Sequence, residues 1–401
     1  MERVGQSSYE MEKYGRGGVL EYPASHWKET LEQKRPLIER IYHAWEDEHS
    51  RRLYECLLRL QYTGEAKYLI EAIRLNGFEP DPALLQFEEL CRWRSQGKAL
   101  ILYGLGEIAD YLQRLSRHRR GTMGYLYFPF VTAIDWTGYC DKNRRGTFGP
   151  EGKTILTPEE MLEQYPDAMI CVTVSAYERV REELIALGAT SDRICKYIPG
   201  NTQVFEDRQY FGEDFMPPQK EGYVIDGGAF HFDTGERFLN WNRGHGFEGI
   251  LSYEPDPENY EICRKKLASL PMDEAARENS EVIHAGLSDQ NSAAHFSASG
   301  SDASHFAEDG EAFVPLVSID NTAAGRPVSF IKLDVEGFEL QSLKGAENTI
   351  RRCRPRLAVC AYHKREDLLD LPEWILNLDM GFRLRLRMYS NEYLEIVLYA
   401  D

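Results

Sequence analysis

The chain has 401 residues, of which 42% are hydrophobic, 12% aromatic and 28% charged, a balance that supplies globular cores and excludes wholly disordered or collagen-like structure. Its 47 lysines and arginines face 65 aspartates and glutamates, giving a net charge of −18. That balance argues against a general nucleic-acid binder, whose surface must neutralise phosphates.

Residues 1–96 read as a helical region. Apolar side chains recur at helical spacing in Leu53, Leu57, Leu58 and Leu60, and again in Leu69, Ile70 and Ile73. The stretch Glu79-Pro80-Asp81-Pro82 interrupts the pattern, because proline fixes φ and lacks an N–H. Such a region is expected to support the rest of the chain or to form a homodimer. Residues 1–20 contain charged side chains and no apolar core, so they are not expected to be a signal peptide. No run approaches the ~18–20 apolar residues that span a bilayer.

Residues 97–200 read as a small parallel α/β unit. The apolar run from Lys98 to Tyr103 leads directly into Gly104-Leu105-Gly106, a strand followed by a glycine turn. Further strands are expected at Ala133-Ile134, Gly138–Cys140 and Ala168–Val174, then a helix from Ala176 to Leu187 that stops at Gly188. The glycine turn fits the dinucleotide spacing GxGxxG/A. However, Glu107 places negative charge where a pyrophosphate would sit, and the acids Asp135 and Asp141 lie 29 and 35 residues beyond Gly106 rather than about 20.

Residues 201–401 alternate strands and helices. Strands are expected at Tyr223–Ile225, Ile250–Tyr253, Val282-Ile283, Phe330–Leu333 and Leu357–Ala361, with helices after Asp233, from Pro257 to Leu270 and from Phe338 to Arg351. A closing pair of strands follows, around Phe382–Met388 and Leu394–Tyr399. The pattern predicts a doubly wound sheet with an antiparallel edge. Ser288–Glu311 interrupts it, and the serine-rich centre at Ser297–Ser304, flanked by His295 and His305, reads as a lid or a solvent loop. There is no evident internal repeat.

The eight cysteines, Cys56, Cys91, Cys140, Cys171, Cys195, Cys263, Cys353 and Cys360, are dispersed, with no CxxC pair. A zinc site is therefore not expected, and the thiols fit a reduced, cytoplasmic protein.

Three local signals carry chemistry. In Val224–Thr234 an apolar strand ends in Asp226, then Gly227 and Gly228 turn the chain into a helix whose first N–H groups are unpaired. Glu254 ends the next strand, 28 residues later, where a carboxylate accepts hydrogen bonds from ribose hydroxyls in doubly wound folds. Ile331–Glu339 places Lys332, Asp334, Glu336 and Glu339 at the end of a third strand.

These segments resemble the FkbM-type methyltransferases that depend on S-adenosylmethionine. The resemblance rests on VIDGGAFHFDT (224–234), YEPDPENYEICRKKL (253–267), GLSD (286–289), VSID (317–320), SFIKLDVEGFELQSLKGAENTI (329–350), PRLAVCAYHKREDLLDLP (355–372) and EIVLYA (395–400). It implies a Rossmann-like class I methyltransferase domain over 201–401, after a smaller Rossmann-like α/β domain and the helical region. It also implies that Asp226, Gly227 and Gly228 line the methionine end of the cofactor, that Glu254 holds the ribose, and that Phe230 and Pro255 are further cofactor-binding residues. Gly286 and Leu287 would flank the adenine, near Asp289, and Asp334 would face the sulfonium. Phe232 departs from the family, which has glycine there, so its ring either crowds the turn or points away from it. The segments YGLGEIADYL (103–112), GYCDKN (138–143) and ILTPEEM (155–161) resemble nucleotide-sugar-binding Rossmann-like domains.

Transfer to a hydroxyl requires in-line alignment and a base. His363, which follows the fifth strand, is the first candidate and Glu336 the second, with Lys332 neutralising carboxylates or orienting the acceptor. No metal is expected; a hard ion held by Asp334, Glu336, Glu339 and His363 is the alternative. The expected activity is O-methylation of a sugar, glycan precursor or related metabolite, with neither nucleic acid nor membrane as partner. The competing readings are a non-catalytic nucleotide-binding module and an NAD-dependent oxidoreductase centred on Gly104 and Gly106.

Overall fold

In the computed structural model, residues 24–109, 134–149, 151–212, 214–218, 221–297, 305–306 and 312–401 are described. Five helices come first: Ala24–Gln33, Arg35–Ala44, Glu48–Thr63, Ala66–Leu75 and Pro82–Ser95. Each boundary has a local cause. Asp47 accepts the Ser50 N–H at 2.7 Å to open the third helix, and Gly64, at φ +73°, closes it. Pro82 occupies the first helical turn behind the cap Asp81, so the proline stretch separates two helices.

A first sheet contains β1 (Leu100–Tyr103), β2 (Gly138–Cys140), β3 (Thr147–Phe148), β4 (Lys153–Leu156), β5 (Met169–Val172) and β6 (Ile194–Lys196), in the order β3-β4-β2-β1-β5-β6. All neighbours are parallel except β3 and β4. The helix Tyr177–Ala186 stands where the sequence places one. Ile134, expected in a strand, lies in none, and its partner in that expectation, Ala133, is outside the described residues.

The remaining strands are β7 (Tyr223–Gly227), β8 (Gly249–Tyr253), β9 (Glu281–Ile283), β10 (Gly286–Leu287), β11 (Ser292–Ser297), β12 (His305–Phe306), β13 (Ala312–Val317), β14 (Val328–Leu333), β15 (Arg356–Cys360), β16 (Leu384–Met388) and β17 (Ile396–Ala400). Seven of them form the main sheet in the order β16-β17-β15-β14-β7-β8-β9. The strands from β15 to β9 in that order run parallel, and β17 and β16 add the antiparallel edge that the sequence pattern predicts. The fold is thus α/β with a Rossmann-like sheet. The chain leaves β7 toward β8 and β9, then returns to place β14 on the other side of β7. This reversal opens a crevice at the carboxyl ends of β7 and β14.

Two details differ from the expected elements. The stretch expected as an interruption at Ser288–Glu311 contributes to a small sheet, β10-β13-β11-β12, while residues 298–304 lie outside the description. The single helix expected over Phe338–Arg351 is two, Glu339–Lys344 and Glu347–Cys353. They part at Gly345, where a Cβ would sit 2.0 Å from the Ser288 carbonyl oxygen; the bare backbone admits the β10–β11 connection.

The helices of residues 24–95 share one core with the main sheet. Leu53, Leu57 and Ile73 are fully buried in the same cluster as Ile225, Leu333, Leu384 and Leu398. At about 1.5–3 kcal/mol for each buried leucine or isoleucine, this contact dominates the attachment. Polar bonds set its register: the Leu386 N–H donates to Ser50 Oγ at 2.9 Å, and the Met388 N–H donates to Asn76 Oδ1 at 3.1 Å. The apolar side of these helices that meets the sheet is therefore buried within the chain. Among the described residues, no helix is long and apolar enough to cross a membrane.

Candidate functional site

Asp226 and Lys332 face each other across β7 and β14, 1% and 2% exposed and 3.3 Å apart. The Lys332 ammonium also donates to the carbonyls of Gly227 at 3.0 Å and Gly228 at 2.6 Å. Burial would lower this ammonium, but Asp226, then Asp334, outweigh it and raise it. Lys332 is thus the internal brace of the glycine turn. The Asp226 carboxyl is pushed up by burial and partly restored by Lys332, and neither of its oxygens accepts a well-formed hydrogen bond.

The turn itself needs its glycines. A Cβ on Gly228, at φ +78°, would lie 1.8 Å from the Asp334 carbonyl oxygen. On Gly227 it would meet Leu287 at 2.8 Å and Leu333 at 2.9 Å, which places Leu287 against the turn. Phe230 follows at φ +48°, and its N–H donates to Glu254 Oε2 at 2.7 Å. The second Glu254 oxygen accepts the Asp256 N–H at 2.9 Å. Burial pushes the Glu254 carboxyl up to about 7. Beside it, the Pro255 carbonyl oxygen lies 3.1 Å from His284 Nε2. Gly286 is buried in β10, whereas Asp289 is exposed.

Phe232 takes the left-handed conformation at φ +64°, a region glycine enters without penalty. Its ring is fully buried in a cluster with Val224 and Phe238, and it lies where a Cβ on Gly235 would be, 2.3 Å from Phe232 Cε1. Gly235 supplies the space, so the ring points into the core behind the turn.

Beyond β14, Asp334 accepts the Tyr210 hydroxyl at 3.1 Å on Oδ2 and lies 3.5 Å from His363 Nε2 through Oδ1. Burial would raise this carboxyl, but Lys332, then His363, overcome it and hold it below the usual range. Glu336, at φ +54°, sits 3.7 Å from His363 Nε2. Glu339 lies 2.8 Å from His363 Nδ1 and is held by the N–H groups of Val335 and Gly337. Burial would lower the imidazole, yet Glu339 and then Glu336 outweigh it and push it up to about 10. In these surroundings the ring holds a proton at neutral pH, the form that cannot accept another.

Three groups near Asp334 escaped the sequence reading: Tyr210, Tyr362 and Glu395. The Tyr362 hydroxyl lies 3.5 Å from Asp334 and 3.4 Å from Glu395. Burial, then Asp334, push Glu395 up to about 7, and Gln209 donates to it. The three come from separate parts of the chain, and no local spacing links them.

In the first sheet, Gly104 is required for packing, since a Cβ there would lie 2.3 Å from Val174 Cγ1. Asp141 accepts the N–H groups of Leu105, Asn143 and Arg144, and Asp135 pairs with Arg94 at 2.8 Å. Both acids are engaged locally rather than standing ready for a ribose.

The reversal point, the glycine turn and the acid ending β8 define a Rossmann-like α/β domain. Residues 226–384 match the methyltransferase FkbM domain family. No curated protein matches the chain. Among solved structures, it is similar to the methyltransferase FkbM of Methylobacillus flagellatus KT, at 15% identity over 88% of this chain and 99% of that one, with a TM-score of 0.49. An rRNA methylase from Streptococcus thermophilus is similar at 13% identity over 46% of this chain and 88% of that one, with a TM-score of 0.30. The fibrillarin of Aeropyrum pernix, solved with S-adenosyl-L-methionine, is similar at 11% identity over 48% and 71%, with a TM-score of 0.30.

Proposed function

We propose that the chain binds S-adenosylmethionine at the β7–β14 crevice and methylates a hydroxyl of a sugar, glycan precursor or related metabolite. The observation that carries this reading is the glycine turn at Gly227 and Gly228, packed too closely against Leu287 and the Asp334 backbone to bear side chains, between the buried acids Asp226 and Glu254. The residues fit the cofactor. Asp226 keeps unused acceptor capacity, and each Glu254 oxygen retains a lone pair beyond the one given to its N–H partner. Bound there, the cofactor supplies an electrophilic methyl group on a sulfonium.

The chain's own residues do the rest. Glu254 holds a ribose diol, the turn approaches the methionine end, and Asp334 faces the cationic sulfur with its charge kept by Lys332 and His363. Asp334, Glu336, Tyr362 and Glu395 offer hydroxyl-binding groups on the acceptor side, and the acceptor proton passes to a carboxylate of this group. The cytoplasmic location and the support role of residues 1–96 and 97–200 belong to the same proposal.

The test is calorimetric titration with S-adenosylhomocysteine, followed by methyl transfer from labelled cofactor to a panel of hydroxylated sugars. Binding abolished by Gly228→Val, together with label on a sugar oxygen, is the expected result. Binding without transfer to any hydroxyl leaves a nucleotide-binding module, and binding of NAD in place of the adenosyl ligand refutes the assignment.

A further inference from the structure

His363 is buried in the acceptor-side cluster, with only 4% of its side chain accessible. Neither ring nitrogen makes a well-formed hydrogen bond. Nε2 is aimed at two carboxylates, 3.5 Å from Asp334 Oδ1 and 3.7 Å from Glu336 Oε1. Nδ1 has a third carboxylate behind it, Glu339 Oε1, at 2.8 Å. The outer two differ from the inner one. Asp334 and Glu336 are 26% and 31% exposed, whereas Glu339 is 1% exposed and fixed by the N–H groups of Val335 and Gly337.

From this arrangement we infer that His363 Nε2, Asp334 and Glu336 form a site for one divalent cation, which takes the place of the proton on Nε2 and releases it to solvent, with Glu339 orienting the imidazole from behind. A carboxylate on the far nitrogen of a metal-binding histidine fixes the ring and raises its basicity. The donor set of one imidazole and two carboxylates suits a borderline or hard ion such as Mn²⁺ or Mg²⁺ rather than a thiolate-seeking one. The spacing is also close to that of a filled site. Donors about 2.1 Å from a common ion stand about 3.0–3.5 Å apart, and the two Nε2 separations, 3.5 Å to Asp334 and 3.7 Å to Glu336, are near that range. Tyr210 donates to Asp334 Oδ2, and Oδ1, 3.5 Å from the Tyr362 hydroxyl, is also turned toward the imidazole.

The four residues named in the sequence thus divide into three ligands and one positioning residue, Glu339. An ion here lies beside the β7–β14 crevice, since the Asp334 N–H donates to the Gly227 carbonyl at 3.1 Å, and it would hold an acceptor oxygen. That last role rests on the methyl-transfer reading; ion binding does not.

The full chain, stripped with EDTA and free of adenosyl ligand, is titrated with Mn²⁺ while electron paramagnetic resonance reads the free ion. One ion per chain is expected. Glu336→Lys, at a partly exposed position, abolishes uptake with unchanged circular dichroism. Glu339→Gln, which touches no ion, weakens uptake by about 10–100-fold. Glu254→Gln leaves it unchanged. No uptake of Mn²⁺ by the wild type, with no rise in its melting temperature in Mg²⁺, overturns the site, as does equal uptake by Glu336→Lys. Calorimetry with S-adenosylhomocysteine in EDTA separates the two proposals. Adenosyl binding without Mn²⁺ uptake defeats the cation site alone, and the reverse result defeats the cofactor assignment alone.

Discussion

Glu254→Gln tests the cofactor pocket and the electrostatics of burial in one variant. The wild-type carboxyl is raised from 4.5 to about 7, with burial as the main cause. A group whose folded-state value lies above its unfolded one contributes stability that is whole below the unfolded value and is lost as pH rises through the folded value. For Glu254 the window runs from about pH 4.5 to about pH 7, and the shift is worth about 3 kcal/mol as an upper figure. Glutamine does not titrate, so the variant escapes this loss. It carries one acceptor oxygen where glutamate has two, so one of the Phe230 and Asp256 N–H groups is left without its partner, costing about 1–3 kcal/mol at every pH.

Relative to the wild type, the variant therefore gains about 2.5 kcal/mol between pH 5 and pH 8, enough to erase or reverse the deficit left by the lost acceptor. Urea unfolding of both proteins at four pH values between these limits, followed by tryptophan fluorescence, reads the difference, in which every other titrating group cancels. A gap that stays constant with pH refutes the argument that Glu254 is ionised against a burial penalty. At pH 8 the variant's affinity for S-adenosylhomocysteine, measured by calorimetry, falls at least tenfold, since ribose loses a charged acceptor worth about 1.5–3 kcal/mol. An unchanged affinity removes Glu254 from the ribose site.

Gly228→Ala forces a methyl group into the Asp334 carbonyl at a left-handed position; adenosyl binding drops by more than tenfold, and the unfolding midpoint falls as well. Phe232→Gly relieves about 1–2 kcal/mol of left-handed strain but empties a buried ring position worth about 3–5 kcal/mol. Urea unfolding should show a net loss of about 2–3 kcal/mol, with the affinity for S-adenosylhomocysteine within twofold of wild type; a large affinity change means that the ring reaches the pocket. Lys332→Met leaves Asp226 buried without its cation and should cost about 3–5 kcal/mol in unfolding free energy at pH 8. Lowering the pH toward 4 restores part of that loss as Asp226 protonates, and its absence would argue against the pair.

Much of the main sheet is legible because its signals are local. A buried parallel strand is a short apolar run, and β7, β8, β14 and β15 all stand where such runs occur. Gly227 and Gly228 mark a turn because close backbone approach excludes a Cβ, a requirement visible in the residue type itself. The close approach at Gly345 was not legible, since the Ser288 carbonyl that excludes a Cβ there comes from a segment more than fifty residues earlier. Neither was the fate of Phe232. The residue type announces strain, while the space that receives the ring depends on Gly235 and the packing around it.

The sequence by itself determined the alternation of elements, the glycine turn and the acids that end β7, β8 and β14, because these follow from periodicity and residue chemistry along a few consecutive positions. Tertiary structure alone decided what those acids face. Lys332 became the brace of Asp226, Glu339 moved behind His363, and Tyr210, Tyr362 and Glu395 converged on Asp334 from distant parts of the chain. Whether a buried carboxylate keeps its charge depends on neighbours a few ångströms away in space, and the sheet's strand order, rather than chain order, chooses those neighbours.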